Sequence, residues 1–118
     1  AVKIGGSVEK FADLMNARAA ELKMENSHFI TPSGLHDDQH YSTSYDMALL
    51  ARAALQNERF LSICSKSKAK VEFGNPPYTR YLTNHNRLVK EYSGCIGVKT
   101  GFTKKAGRCL VSAATRDG

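Results

Sequence analysis

Apolar residues recur at steps of three and four from Val8 through Phe11, Met15 and Ala19 to Leu22, the spacing that lines one face of a helix. Ser7 stands where an N-cap belongs, and Glu9 in the first turn suits the positive end of the helix dipole. This helix is expected to end near Met24-Glu25-Asn26. The segment from Ser27 to Tyr41, with Pro32, Gly34 and the pair Asp37-Asp38, predicts an irregular connection. Thr43 with Asp46 predicts a second helix start. The broad apolar run Met47, Leu49, Leu50, Ala51, Ala54 and Leu55 predicts that this helix is buried on most sides, and Phe60, Leu61 and Ile63 add a short helical turn.

Beyond these residues the period changes to two. Val71 and Phe73 alternate with polar neighbours, Gly74-Asn75-Pro76-Pro77 reads as a turn, and Tyr78 to Thr83 alternates again, so a small hairpin is expected. Ile96 to Thr103 and Arg108 to Thr115 read as two further strands, joined by a connection short enough for antiparallel pairing. Helices followed by antiparallel strands imply an α+β fold, with helices packed on an incomplete antiparallel sheet. The expected organisation is one partial domain over 1–118, mainly helical over 1–64 and strand-rich over 65–118.

Composition changes this picture little. At 118 residues and 42% hydrophobic content the chain can bury only a modest core. It has no apolar run near the roughly 20 residues of a membrane helix, and its first residues resemble neither an initiator nor a signal segment, so it reads as a piece of something longer. Charge is uneven. Up to Phe60 there are 6 basic and 8 acidic residues, and from Leu61 onward 11 and 3, so the second half carries about +8 of the overall +6. A polyanion-binding face is one reading; without interleaved aromatics a solvated basic face is the simpler one. Lys66, Lys68 and Lys70 alternate as on a solvated strand edge. Cys64, Cys95 and Cys109 fit no zinc or redox spacing and read as buried thiols, Cys109 in particular as a small hydrophobe.

The candidate chemistry lies in Lys99-Thr100-Gly101, a tripeptide that about 3% of chains this long would carry by chance, so its setting has to decide. Around it stand further stretches in a fixed order. They are Leu14-Met15-Asn16-x-Arg18-Ala19, His28-Phe29-x-x-Pro32-x-Gly34-Leu35, Tyr41-Ser42-Thr43-x-Tyr45-Asp46-Met47-Ala48, Asn84-x-Asn86-x-Leu88, and Gly97 to Ala114. Together they cover nearly the whole chain. In them the chain resembles the later part of the catalytic domain of serine-type D-alanyl-D-alanine carboxypeptidases, the low-molecular-mass penicillin-binding proteins. Local departures are Ser33 and Lys23, where family members often have His and Gly.

The resemblance implies a fragment of the penicillin-binding protein and β-lactamase-like fold, in an enzyme of the bacterial cell envelope. Such enzymes remove the terminal D-alanine of peptidoglycan stem peptides through an acyl-serine intermediate that β-lactams trap. Lys99 would bring positive charge to the reacting serine and the substrate carboxylate, and Thr100 a hydroxyl to that carboxylate. Gly101 would let substrate lie along the strand, and the backbone N–H of Phe102 would be the second oxyanion donor. No cofactor or metal is implied. The expected ligands are stem peptides and β-lactams rather than nucleic acid; a non-catalytic basic module for anionic wall polymer or nucleic acid is the alternative.

Half of such a site is missing from the sequence. There is no Ser-x-Asn, and the three Ser-x-x-Lys matches, Ser7 with Lys10, Ser65 with Lys68 and Ser67 with Lys70, are about what 10 Ser and 10 Lys give by chance. Ser7 is placed to cap a helix, and the other two lie in a polar, lysine-rich edge. The chain is therefore expected to begin just beyond the second family motif. His36 and His40, flanking Asp37 and Asp38, sit among turn formers that do not preorganise a metal site; His28 and His85, like the amides of Asn84 and Asn86, are expected to be structural. Missing sheet neighbours would leave unpaired edges, so self-association is expected. The isolated 118 residues should neither hydrolyse D-Ala-D-Ala peptides nor be labelled by penicillin; a stoichiometric acyl adduct in intact-mass measurement would contradict that.

Overall fold

A helix of four residues, α1 (Val2–Gly5), precedes the first expected one and had no periodic signal to announce it. It exists by contact: a Cβ on Gly5 would lie 2.8–2.9 Å from Phe11 N, Cα and Cβ, so only glycine lets this turn rest on the next helix. The computed structural model describes Ala1 to Asp117 and divides into two compact units, one of Ala1–Gln56 with Gly101–Cys109, the other of Asn57–Thr100 with the chain from Leu110 onward.

In the first unit, α2 (Val8–Glu21) starts where expected, with Ser7 Oγ accepting from Lys10 N at 3.2 Å. It buries Ala12 and Ala19, and Met24 closes the same face just beyond its end. The termination is a Schellman turn: Met24 N donates to Ala19 O at 3.0 Å, Lys23 N to Ala20 O at 3.0 Å, and Lys23 takes the left-handed φ of 62°.

The segment 27–41 is irregular but tightly held by side chains. Asn16 pairs both ways with the Phe29 backbone, Nδ2 to O and N to Oδ1, each at 2.8 Å, as a strand neighbour would. His28 and Tyr41 form an isolated antiparallel bridge. His40 Nδ1 accepts from Ile30 N at 3.1 Å and Thr31 N at 3.2 Å.

Helix α3 (Ser44–Leu55) is capped by Thr43 Oγ1, which accepts from Asp46 N at 3.1 Å. The expectation that it is buried on most sides is not met: only Asp46 and Ala51 are buried, while Ala48 and Arg52 are exposed. Met47, Leu49, Leu50, Ala54 and Leu55 are half-buried, so the apolar run is covered only in part. The buried carboxylate is the more telling residue. Asp46 is 1% exposed and accepts from Asn26 N at 2.9 Å and Ser27 Oγ at 2.7 Å, so it joins the end of α2, the irregular segment and the start of α3.

In the second unit, Phe60 to Ile63 belong to a separate helix, α4 (Glu58–Cys64), whose cap Asn57 Oδ1 accepts from Phe60 N at 2.9 Å. The expected hairpin is β1 (Lys68–Phe73) against β2 (Tyr78–Thr83), antiparallel, running from Lys68↔Thr83 to Phe73↔Tyr78. A short α5 (Leu88–Glu91) leads to β3 (Cys95–Thr103) and β4 (Gly107–Ala114), which form the second two-stranded sheet. The fold is α+β with two small antiparallel sheets. The tip of the second hairpin counts with the first unit, where Lys105 Nζ meets Asp38 Oδ1 at 2.9 Å. That hydrogen bond, and after it His36, lowers the Asp38 carboxyl below its ordinary value. The exposed pair is therefore ionised above the usual carboxylate range and weakens as pH falls through the lowered value.

Two stability outcomes follow from the first unit. Asp46→Ala should cost about 1–3 kcal/mol, because it leaves Asn26 N without its acceptor and takes one of two partners from the Ser27 hydroxyl. Lys23→Gly should gain about 0.5–1 kcal/mol by relieving the left-handed residue. Urea unfolding of the protein carrying this chain checks both signs.

Candidate functional site

Strand β3 carries the sequence-predicted residues in one continuous run. Lys99 and Gly101 are exposed, Thr100 is half-buried, and Phe102 is 68% exposed. The Lys99 ammonium donates to the Thr100 carbonyl. A Cβ built on Gly101 would meet no atom within 4 Å, so open space lies beside the backbone there. Among the described residues β3 has β4 as its strand neighbour, and its other edge is unpaired.

Two residues before Lys99 the backbone is held from several sides. Gly97 has φ 143°, in the region that favours glycine, and an added Cβ would lie 2.8 Å from Cys64 Sγ. Its carbonyl accepts from Asn86 Nδ2 at 2.9 Å and Ser112 Oγ at 2.8 Å, with Cys95 Sγ at 3.5 Å. Asn86 is 4% exposed. Asn84 supports it: Asn84 Oδ1 accepts from Asn86 N at 2.9 Å, while Asn84 Nδ2 donates to Cys64 O at 3.1 Å and Lys66 O at 3.0 Å. The expected structural role of both amides is found, but their common target was not foreseen. Asn-x-Asn was visible in the sequence; nothing local points from Asn86 to Ser112, 26 residues away.

The cysteines are free, and they correct the expectation of buried thiols: Cys64 and Cys95 are half-buried and Cys109 is exposed. Cys109 shares the face of the half-buried Val111 and Ala113, but that face is thinly covered near the hairpin tip, where an apolar run does not guarantee burial. Burial, helped by the neighbouring Cys95, pushes the Cys64 thiol above its ordinary value despite an opposing backbone hydrogen bond. At neutral pH it stays a neutral thiol and a weak nucleophile.

Several of the other singled-out groups are engaged locally. Ser7 is the α2 cap, and Ser65 Oγ donates to Leu61 O at 2.7 Å at the end of α4. His28 Nδ1 sits 2.8 Å from Gln39 O, and His36 Nε2 is 3.0 Å from Asp38 Oδ1. A depression of about 360 Å³ in the first unit is lined by residues of α2 and its C-terminal turn, among them Asn16, Ala19, Lys23 and Met24; none of Lys99 to Phe102 contributes to it.

Known proteins match nearly the whole of this chain. A D-alanyl-D-alanine carboxypeptidase of Bacillus subtilis is 39% identical over 113 residues, which are 96% of this chain and 29% of the relative. A D-alanyl-D-alanine carboxypeptidase of Streptomyces is 35% identical over 115 residues, covering 94% and 40%. Among solved structures, a Streptomyces DD-transpeptidase matches with a TM-score of 0.85 at 35% identity, over 94% of this chain and 44% of that one. A D-alanyl-D-alanine carboxypeptidase from Mycobacterium tuberculosis matches with 0.86 at 34% identity, over 99% and 44%. The chain thus spans less than half the length of these relatives. A family model described as D-alanyl-D-alanine carboxypeptidase matches residues 1–118, the strand with Lys99-Thr100-Gly101 included, and the chain belongs to that family.

Proposed function

We propose that the protein carrying this chain removes the terminal D-alanine from peptidoglycan stem peptides through an acyl-serine intermediate, is acylated by β-lactams, and works in the bacterial cell envelope. This chain supplies the substrate-holding strand. One observation carries the reading: an exposed lysine and an uncovered glycine backbone stand side by side on a strand with a free edge. An extended peptide ending in a carboxylate fits such an edge by strand addition.

In this role the Lys99 ammonium and Thr100 hydroxyl take the substrate carboxylate. Gly101 keeps the strand clear of side chain, and the Phe102 N–H is the second donor to the oxyanion that forms when serine attacks the scissile carbonyl. In this reading the serine and its proton acceptor come from outside these residues: Ser7 and Ser65 spend their hydroxyls on helix ends, and Ser67 immediately precedes the lysine-rich strand β1. Among the described residues no helix is long and apolar enough to cross a membrane.

The alternative of a basic, non-catalytic module finds no support in the comparisons. Several of its charges are already paired, Arg87 with Glu91 at 3.1 Å and Lys105 with Asp38 at 2.9 Å.

Lys99→Ala and Thr100→Ala in the whole protein should each slow acylation by penicillin by about 10- to 100-fold, the loss of a charge-assisted or hydroxyl contact, with unfolding midpoints unchanged. Acylation at the native rate in both variants would refute the substrate-strand role.

A further inference from the structure

The Gly97 carbonyl receives an amide N–H and a hydroxyl at normal hydrogen-bond distance, with the Cys95 thiol as a longer, weaker third partner. Asn86 spends every polar atom of its side chain in this one place. Its Nδ2 donates to Gly97 O at 2.9 Å and Ser112 Oγ at 3.3 Å, and its Oδ1 accepts from Leu88 N at 3.1 Å. Burying an amide costs stability unless it is fully bonded, and an apolar side chain would fill the same volume without that requirement. Of the Asn86 bonds, one reaches β3 at Gly97, two residues before Lys99, one reaches Ser112 on β4, and one holds Leu88 N at the start of α5. Peptide planes are rigid, so fixing the Gly97 carbonyl leaves only the backbone torsions of Val98 and Lys99 free between this anchor and the lysine. The Cys64 thiol fills the space beside the Gly97 Cα, where an added Cβ would lie 2.8 Å from it.

We infer that Asn86, with Ser112, is a positioning residue for the acylation reaction: it fixes the carbonyl of Gly97 and thereby the placement of Lys99 and Thr100 on their strand. This rests on the substrate-strand reading above. Asn84 acts one step further out by holding the Asn86 backbone N–H and tying it to the end of α4 at Cys64. Removing either donor leaves Gly97 O with one strong partner and the longer Cys95 thiol contact, and lets the following peptide planes tilt.

The test uses the whole protein and a fluorescent penicillin, with two quantities read separately: the fraction of molecules that can be acylated and the rate constant at which that fraction reacts. Asn86→Ala and Ser112→Ala should each lower the rate constant about tenfold, the worth of one hydrogen bond, while the acylatable fraction stays near the native value. Ser112→Thr, which keeps the hydroxyl, should react at the native rate. A role confined to folding would show the reverse, with fewer acylatable molecules reacting at the native rate constant, and would overturn the inference; so would native values of both quantities in Ser112→Ala. Should Asn86→Ala not fold, the Ser112 pair decides alone. Lys99→Ala serves as the reference. If it reacts at the native rate, the substrate-strand reading fails and this inference with it; if it is slow while the Ser112→Ala rate is native, only the positioning role fails.

Discussion

The constraint on which the second unit turns is the backbone at Gly97. A left-handed φ, a thiol where a side chain would be, and two donors on one carbonyl fix this residue from separate directions. The donors come from segments far apart in sequence: Asn86 follows the first hairpin and Ser112 lies on β4, while Cys64 ends α4. Each contact is modest, about 1 kcal/mol for a hydrogen bond, yet they share one acceptor, so they restrict one peptide group much more than any of them alone. The strand that leaves this anchor carries Lys99-Thr100-Gly101 with its backbone uncovered. Rigid support on one side and an open edge on the other is what a strand needs if it is to hold a peptide.

The first unit solves a different problem by the same means. Its irregular segment has few backbone partners, so side chains stand in for a sheet. Asn16 imitates a strand neighbour for Phe29, His40 accepts two backbone N–H groups, and Asp46 gathers Asn26 and Ser27. The buried hydrophobic set is small, Ala12, Ala19, Met24 and Ala51, so polar satisfaction and capping carry more of the local order than apolar burial. This explains why a capping reading of Ser7 and Thr43 located helix starts well, whereas the breadth of the apolar run after Thr43 overstated how much of that helix is covered.

Much was legible in the sequence. Periods of 3.6 and 2, together with Ser7, Thr43 and the Gly74-Asn75-Pro76-Pro77 turn, placed the start of α2, all of α3 and both hairpins to within three residues, because caps and turns are local chemistry, whereas α2 ends at Glu21, before the expected Met24-Glu25-Asn26. The ordered motifs named the family, and Lys99 to Phe102 lie together on β3 as expected. The α1 turn and the exposure of Cys109 were not legible, since one depends on how closely Phe11 approaches Gly5 and the other on what covers a strand face.

The sequence by itself determined which segments are helical or extended, which family the chain belongs to, and which tripeptide is the candidate substrate strand; these depend on neighbours within a few residues or on ordered motifs. Only the tertiary structure decided that Asn86, Ser112 and Cys64 meet at Gly97, and that Asp46 is the buried link of the first unit. Such contacts join residues 11 to 33 positions apart, and a hydrogen bond closed over that distance leaves no periodic trace in the residues that make it.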